Sequence, residues 1–380
     1  MKESLEWEFD RTIFHVDMDS FYASCELSKR PEMKSEPFVV GADPRDGKGR
    51  GVVLACNYIA KKRGLRSGMP ISRAWELAPD AHYVKPDFDL YVQISSKVMQ
   101  LLRKFGDKTE QMSIDEAYLD VGERLKLISE DLNLKEDESI RNLASQIKKS
   151  ISENQAITCS VGVANTKIVA KIATDMNKPD GLTIVRPSEV VRFLAPLAVS
   201  KIPGVGKVTH KILSEKFHIE TIDDLRKVPM DNLRDAFGRS ALWLSNVAKG
   251  IDESEVVESW DPVSISSETT FMEDEGDYTK VKQVMDDVAE DVFSRLQTDH
   301  YLFRNVGIKI RFTGFETHTR SKSLSAHSVS LEILLRECEK MLSEFYDSER
   351  KVRLIGVRVS SLKKKEDDQM TLMDWEAADR

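Results

Sequence analysis

Apolar positions recur along this chain with two periods, and the change from one to the other marks its elements. T-I-F-H-V-D-M-D, from Thr12 to Asp19, reads as an apolar strand that finishes in acids, Asp17 and Asp19. T-E-Q-M-S-I-D-E-A-Y-L-D, from Thr109 to Asp120, is strand-like except where Asp115 and Glu116 interrupt it. Neighbouring strand residues point to opposite faces, so two adjacent carboxylates serve one site only at a corner, and a hairpin is expected there. Leu90, Ile94, Val98, Leu101 and Phe105 recur at helical spacing, as do Ile140, Leu143, Ala144, Ile147 and Ile151, with Ser139 as the expected cap. I-T-C-S-V-G-V-A follows as a buried strand.

Residues 21–87 read as a small insertion of mixed structure. A short helix is expected from Pro70, with Ile71, Ala74, Trp75 and Ala78 on one face and proline at its first position; Pro79 ends it. With the insertion set aside, the order is β, α, β, β, α, β, the split βαβ sheet with helices on one face. Its first and third strands are neighbours, so Asp17 and the Asp115–Glu116 corner are expected to adjoin.

A further helix is expected over Asn165 to Asp175, then the strand L-T-I-V. From Pro187 the texture changes to short helices divided by glycine and proline. There I-P-G-V-G-K-V-T, with Gly204, Gly206 and Lys207, forms a helix-hairpin-helix pattern whose turn amides and helix N-terminus suit a phosphate; a simple glycine-rich turn is the alternative. The polar, acidic run from Gly250 to Pro262 suits an interdomain linker. Beyond it β-α-β-β-α-β repeats without an acidic corner. Lys309 and Arg311 alternate with Ile308, Ile310 and Phe312, Arg320 and Lys322 sit on the facing strand, and Arg358 lies between Val357 and Val359. One face is expected to be apolar under helices and the other cationic, interleaved with serine and threonine, which suits phosphates better than an ordinary solvated face.

Composition adds bounds. The 380 residues are too many for one core of usual size, and two to four domains are expected. The formal charge of −8 argues weakly against nucleic acid, but the acids concentrate in segments such as E-D-L-N-L-K-E-D-E before Ser139 and E-D-E-G-D around Asp274. With neither a membrane-span-length apolar run nor a signal-peptide core, a cytoplasmic protein is expected. Cys25, Cys56, Cys159 and Cys338 lack metal-ligand spacing and read as core residues.

Clustered carboxylates repel and protonate unless a cation holds them ionised, and an all-oxygen set favours magnesium or manganese. For a single Asp-Glu pair, solvated strand ends would explain as much; the combination with Asp17 favours a metal site. Nucleotidyl transfer by two divalent ions needs such bridging carboxylates. A triphosphate needs cations as well, for which Lys61, Lys62, Arg63 and Lys178 are candidates, with Tyr58 as a hydroxyl donor.

Taken together, H-V-D-M-D-S-F-Y-A at His15, N-Y-I-A-K-K-R-G at Asn57, S-I-D-E-A-Y-L-D at Ser113, A-K-I-A-T-D-M-N-K-P at Ala170 and I-P-G-V-G at Ile202 closely resemble the Y-family DNA polymerases. The DinB, or polymerase IV and kappa-like, branch is the best match, over essentially the whole chain. The resemblance implies an α+β right-hand architecture: palm (1–20 and 88–186), fingers (21–87), helical thumb (187–252), linker (253–262), little finger (263–362) and a tail (363–380). It implies that Asp17, Asp115 and Glu116 hold two Mg2+ ions, which Mn2+ can replace, with the Met18 carbonyl as a further ligand. Asp19 is read as structural.

By the same resemblance Phe21 and Tyr22 floor the nucleotide site, Tyr22 as a steric gate against the 2′-hydroxyl. Tyr58, Lys61 and Lys178 contact the triphosphate, although the family commonly has arginine where Lys61 stands, and lysine lacks its bidentate fork. Val52 and Leu54 roof the nascent base pair. A monomeric, error-prone translesion polymerase of low processivity follows, taking deoxynucleoside triphosphates and primer–template DNA. In the tail, Gln369, Leu372 and Trp375 have the spacing of a sliding-clamp peptide, while Q-M-T-L-M resembles the bacterial clamp pentapeptide; both clamp types stay open. Two other classes compete: a catalytically silent DNA-binding scaffold, whose signature is loss of the palm acids, and a nucleotidyltransferase that needs no template.

Overall fold

The computed structural model describes residues 11–345 and 350–365, which divide into two units at Ser259/Trp260. The first unit opens with β1 (Ile13–Met18) and α1 (Phe21–Lys29). There follow β2 (Phe38–Gly41), β3 (Val53–Cys56), α2 (Tyr58–Lys62), α3 (Ile71–Leu77) and β4 (His82–Val84). Next come α4 (Phe88–Leu102), β5 (Lys108–Gln111), β6 (Glu116–Asp120), α5 (Gly122–Leu132) and α6 (Glu136–Gln155). β7 (Cys159–Ala164), α7 (Lys167–Thr174) and β8 (Leu182–Ile184) complete the sheet region. The short helices α8 (Val190–Leu194), α9 (Lys207–Phe217), α10 (Ile222–Lys227), α11 (Met230–Phe237) and α12 (Ser240–Ala248) close the unit.

The main sheet has the order β5-β6-β1-β7-β8, so the first and third strands of the expected split βαβ are indeed neighbours. Its β1–β6 register sets Asp17 opposite Glu116 and His15 opposite Tyr118. The expectation of helices on one face needs correction. Phe14, Val16 and Met18 pack with α4 and α6, whereas Ile13 and Tyr118 share a second core with α7 and the short helices. Accordingly β7 is buried at all of its positions, as a strand covered on both faces must be. Gly162 permits this: a Cβ there would lie 2.1 Å from the Ala170 carbonyl oxygen, so only glycine lets α7 approach β7 so closely.

Several boundaries differ from expectation. α6 starts ahead of Ser139, because Glu136, Asp137 and Glu138 fill its first turn, where the helix dipole favours acids. Pro70 is the cap of α3 and not its first residue. On α4 the buried face runs through Leu102 in place of Leu101. Residues 21–87 do not stand apart as one insertion: α1 buries Phe21, Ala23, Cys25 and Leu27 in the same core as β1. Only the rest, with its three-stranded sheet β3-β2-β4, keeps a small core of its own around Val53, Leu65 and Ile71.

The expected linker is also shorter than its composition suggests. Asp252 accepts from the Ile168 amide (3.1 Å) and, through its backbone oxygen, from Arg11 (2.9 Å). Glu255 offers its carbonyl to Lys167 (3.1 Å), Val256 is buried, and the Val257 amide donates to Glu110 (3.0 Å). Residues 252–257 are thus built onto the first unit.

The second unit consists of β9 (Ser264–Glu275), α13 (Tyr278–Thr298), β10 (Tyr301–Phe312), β11 (Thr317–Ser328), α14 (Leu331–Ser343) and β12 (Val352–Ser360), with the short β13 (Lys363–Lys364) on β10. The element order repeats that of the first sheet, but the strand order does not. Here it is β11-β10-β12-β9, with the second and fourth strands central and the first at an edge. α13 and α14 cover one face through Ile308, Ile310, Val357 and Val359.

Candidate active site and nucleic-acid interface

A cleft of about 280 Å³ collects residues from four stretches of sequence: Asp17, Met18, Ser20, Phe21 and Tyr22 from β1 and the start of α1, Leu54, Ala55, Tyr58, Lys61 and Ser67 from the small domain, Asp115 from the β5–β6 corner, and Lys178 from the loop after α7. The hairpin corner brings Asp115 there because the Met18 amide donates to the Asp115 carbonyl (2.9 Å), tying the β5–β6 turn to the end of β1. Ser113 completes the corner. Its hydroxyl donates to the Asp115 carboxylate and accepts from the Asp115 and Glu116 amides, both at 3.2 Å.

Each acid already has a partner. Lys178 bridges Asp17 (2.9 Å) and Asp175 (2.8 Å), whereas Lys171, one turn before Thr174 on α7, meets Glu116. His15 Nε2 lies 3.2 Å from the same Glu116 oxygen, and His15 Nδ1 lies 2.9 Å from the Thr174 hydroxyl. Burial lowers the His15 pKa, so the neutral ring donates from Nε2 to Glu116 and accepts from Thr174 at Nδ1.

The electrostatics divide the acids. Burial pushes Asp17 up to about 6 against the pull of Lys178, with Asp115 and Glu116 adding repulsion. The hydrogen bond from His15 brings Glu116 down to about 2 against burial, with help from Lys171. Among the described residues no three such side chains converge into a ready-made metal cluster. The donor set nevertheless fits a hard divalent cation: carboxylate oxygens on paired strands and the turn beside them, repelling one another, with lysine ammoniums on Asp17 and Glu116 where an ion would compete.

The other residues named from sequence fall as follows. Tyr22 stacks on Tyr91 (centroids 4.5 Å apart, planes at 19°) and meets Phe88 edge-on at 6.0 Å. Lys61 donates to the Ser20 hydroxyl (2.8 Å) and lies over the Tyr58 ring at 4.2 Å, and burial lowers its pKa. Arg63 is turned away, its Nη1 donating to both carboxylate oxygens of Asp80 at 2.8 and 2.7 Å. Gly204 has φ +97°, and a Cβ there would strike the Trp243 ring at 2.9 Å, so glycine is required where the turn leads through Gly206 into α9 at Lys207.

The cationic face of the second sheet needs a correction by register. Lys309 pairs with Thr319 and Gly356, and Gly307 with Arg358, so Lys309, Arg311 and Arg358 share the open face. Arg320 and Lys322 pair with Ile308 and Val306, which puts them on the helix-covered side. There Arg320 meets Glu344 (3.5 Å) and Lys322 meets Glu337 (3.5 Å), both from the α14 region. Directly paired antiparallel residues share a face, and the loop between β10 and β11 set the parity opposite to expectation. The open face carries a concavity of about 520 Å³ lined by Ser266, Glu268, Asn305, Lys309, Arg358 and Ser360 among others, with Glu268 paired to Lys309 at 2.7 Å.

Sequence reading passed over His15, Lys171, Thr174 and Ser113, although all lie inside the quoted motifs. The i, i+3 spacing of Lys171 and Thr174 was the available signal, since it puts both on one side of α7. Gln369, Leu372 and Trp375 lie outside the described residues.

Comparison with known proteins agrees with this geometry. The profile of the impB/mucB/samB family matches residues 16–175, and that of the impB/mucB/samB family C-terminal domain matches residues 262–372. DNA polymerase IV 2 of Methanosarcina mazei is 41% identical over 365 residues, covering 96% of each chain. DNA polymerase IV of Methanoculleus marisnigri is 43% identical over 352 residues, 93% of this chain and 94% of that one. Among solved structures, a Y-family DNA polymerase chimera, Dbh-Dpo4(243-245)-Dbh, superposes with a TM-score of 0.84 at 30% identity, covering 93% of this chain and 100% of that one. An insertion ternary complex of Dbh DNA polymerase gives a TM-score of 0.62 at 30% identity with the same coverage. The chain belongs to the Y-family, the translesion class of DNA-directed DNA polymerases. Within that class it falls in the DNA polymerase IV, or DinB, branch. Among the described residues no helix is long and apolar enough to cross a membrane.

Proposed function

We propose that this polymerase extends a primer in the cleft between β1, the β5–β6 corner and α2, with Asp17, Asp115, Glu116 and the Met18 carbonyl holding two Mg2+ ions. The reading is carried by one observation: seven residues drawn from four distant motifs, Asp17, Met18, Tyr22, Tyr58, Lys61, Asp115 and Lys178, line one cleft. When bound, such ions neutralise the charge on the attacking and leaving oxygens. The chain's own groups do the rest. His15 and Lys171 keep Glu116 ionised and fixed, and Ser113 orients Asp115. Lys178 and Lys61 supply positive charge for the triphosphate, and Tyr22, backed by Tyr91, lies beneath the sugar.

Lys309, Arg311 and Arg358 grip the DNA backbone with the surrounding hydroxyls, and the turn of Gly204, Gly206 and Lys207 takes a further phosphate. Arg320 and Lys322, on the opposite side, contribute at most from the sheet edge. A small domain with few shape checks on the nascent pair is consistent with low fidelity. The tail motif of Gln369, Leu372 and Trp375 recruits a sliding clamp, and the protein works as a monomer in the cytoplasm.

The test is primer extension with magnesium. Asp115→Ala is expected to lose roughly a thousandfold or more in rate, by the scale of removing one electrostatic contributor to a transition state. Full activity in that variant overturns the site. Extension that follows each template base in turn separates this reading from template-independent transfer.

A further inference from the structure

Asp19 stands two residues after Asp17, yet it is only 2% exposed and is absent from the cleft lining. Its carboxylate is filled from elsewhere. Oδ1 accepts from the Ser160 hydroxyl (2.8 Å) and the Tyr58 hydroxyl (3.4 Å). Oδ2 accepts from the Thr158 hydroxyl (2.8 Å) and the Asp180 amide (2.8 Å). A carboxylate offers about four acceptor positions, so none is left for a metal ion. The donors come from β7 and the turn before it, from α2, and from the loop that follows Lys178.

We infer that Asp19 is a positioning residue that sets the triphosphate-binding side chains in register with the metal-binding strand β1. Tyr58 reaches it directly, and Lys178 is held through Asp180, two residues further along the loop. Lys61 is held through the neighbouring Ser20 hydroxyl (2.8 Å). Lys148 clamps the same loop from below, meeting the carbonyls of Cys159 and Gly181 (3.2 Å each) and the Asp180 carboxylate (2.8 Å). The small domain and the palm loop therefore both refer to one buried carboxylate, which sits beside Asp17 in the chain.

The chemistry calls for an aspartate. An asparagine of the same shape presents one acceptor oxygen and one amide nitrogen, and the nitrogen must face either the Asp180 amide or the Tyr58–Ser160 hydroxyl pair. The Asp180 amide cannot reverse its role, so the nitrogen is driven to the hydroxyl pair, which must turn from donors to acceptors, and charge-assisted bonds give way to weaker neutral ones.

The inference rests on the reading of Tyr58, Lys61 and Lys178 as triphosphate contacts, and the experiment separates the two. Single-nucleotide insertion kinetics are measured for the full chain carrying Asp19→Asn, Lys178→Ala and both together. Asp19→Asn is expected to raise the KM for the deoxynucleotide about tenfold, the scale of one charged hydrogen bond, with kcat and the Kd for primer–template moving less than about twofold. Lys178→Ala is expected to cost much less in the Asp19→Asn background than alone, because the first change has already released its loop. Should Asp19→Asn fail to fold, Ser160→Ala and Thr158→Val each remove one donor, with an expected rise in KM of roughly threefold. An unchanged KM in the folded variants, or equal losses in KM, kcat and DNA affinity, overturns the positioning role. An unchanged KM in Lys178→Ala overturns the triphosphate reading on which that role depends.

Discussion

Tyr22 shows how much of a residue's task is set by what lies behind it. Its ring stacks on Tyr91, which is fully buried and donates from its hydroxyl to Glu26 (2.8 Å), itself paired with Arg30. An aromatic surface supported in this way cannot swing aside for a bulkier sugar. Tyr22→Ala is therefore expected to admit ribonucleotides, raising their insertion efficiency relative to deoxynucleotides by roughly a hundredfold, the reach of a steric exclusion worth a few kcal/mol. Competition assays with matched ribo- and deoxynucleoside triphosphates check this, and an unchanged ratio contradicts the gate. The gate, the acids and the lysines were all legible as motif residues. Their partners were not. The pairing of Glu116 with His15 and Lys171, or of Asp17 with Lys178, joins positions from 55 to about 160 residues apart in sequence, and no local pattern announces it.

At the level of elements, the edge strand β11 and the helix α14 are fastened by a buried acid. Glu337 accepts from Lys340 (3.1 Å) and faces Lys322 and Arg336 at 3.5 and 3.4 Å. Burial opposes its ionisation, but Lys340 and Lys322 outweigh that and hold the carboxyl below the ordinary value of 4.5. A depressed folded-state value means that the stabilisation is present at neutral pH and is lost as the pH falls through that value. Glu337→Gln is expected to destabilise the second unit by about 1 kcal/mol at pH 7, a modest figure because the lysines are largely exposed, and by much less in acid. Urea unfolding at neutral and acidic pH measures the difference, and an equal loss at both would rule out the ionised pair as its source. The same register bears on the proposed DNA contact. Lys309→Ala and Arg358→Ala on the open face are each expected to reduce the slope of log affinity against log salt by about 0.9, as for one phosphate contact. Arg320→Ala and Lys322→Ala are expected to change it less. Equal effects from all four would contradict the division of faces.

For the molecule as a whole, a net charge of −8 is compatible with DNA binding because charge acts locally, and Lys309, Arg311 and Arg358 share one open sheet face. The first unit carries the acids and the cleft, and the second carries an open sheet of hydroxyls and cations. Partner recruitment is proposed to lie with Gln369, Leu372 and Trp375, outside the described residues. Deleting residues 369–380 is expected to weaken clamp binding by at least about tenfold while leaving basal primer extension unchanged. Surface plasmon resonance against both types of clamp tests the first part and primer extension without a clamp the second, and equal affinity after deletion refutes the motif. The attachment of residues 252–257 to α7 and β5 also places the last of these contacts a few residues before β9. The composition of this stretch alone suggested a looser tether, since acidic and polar residues read as solvated until their partners are known.

The chain by itself determined its elements and its chemistry, because apolar periodicity is local and because the acids, the aromatic pair and the glycine turn sit in short contiguous motifs. It also determined that β1 and β6 are neighbours, through the strand order of a split βαβ. Tertiary structure alone decided the rest. Parity of pairing chose the faces of Arg320 and Lys322, and a second covering helix, admitted by Gly162, brought Lys171 onto Glu116 and Thr174 onto His15. The same element order also closed into a different strand order in the second sheet. These are properties of register and long-range contact, and a side-chain period of two residues makes them turn on a shift of one position.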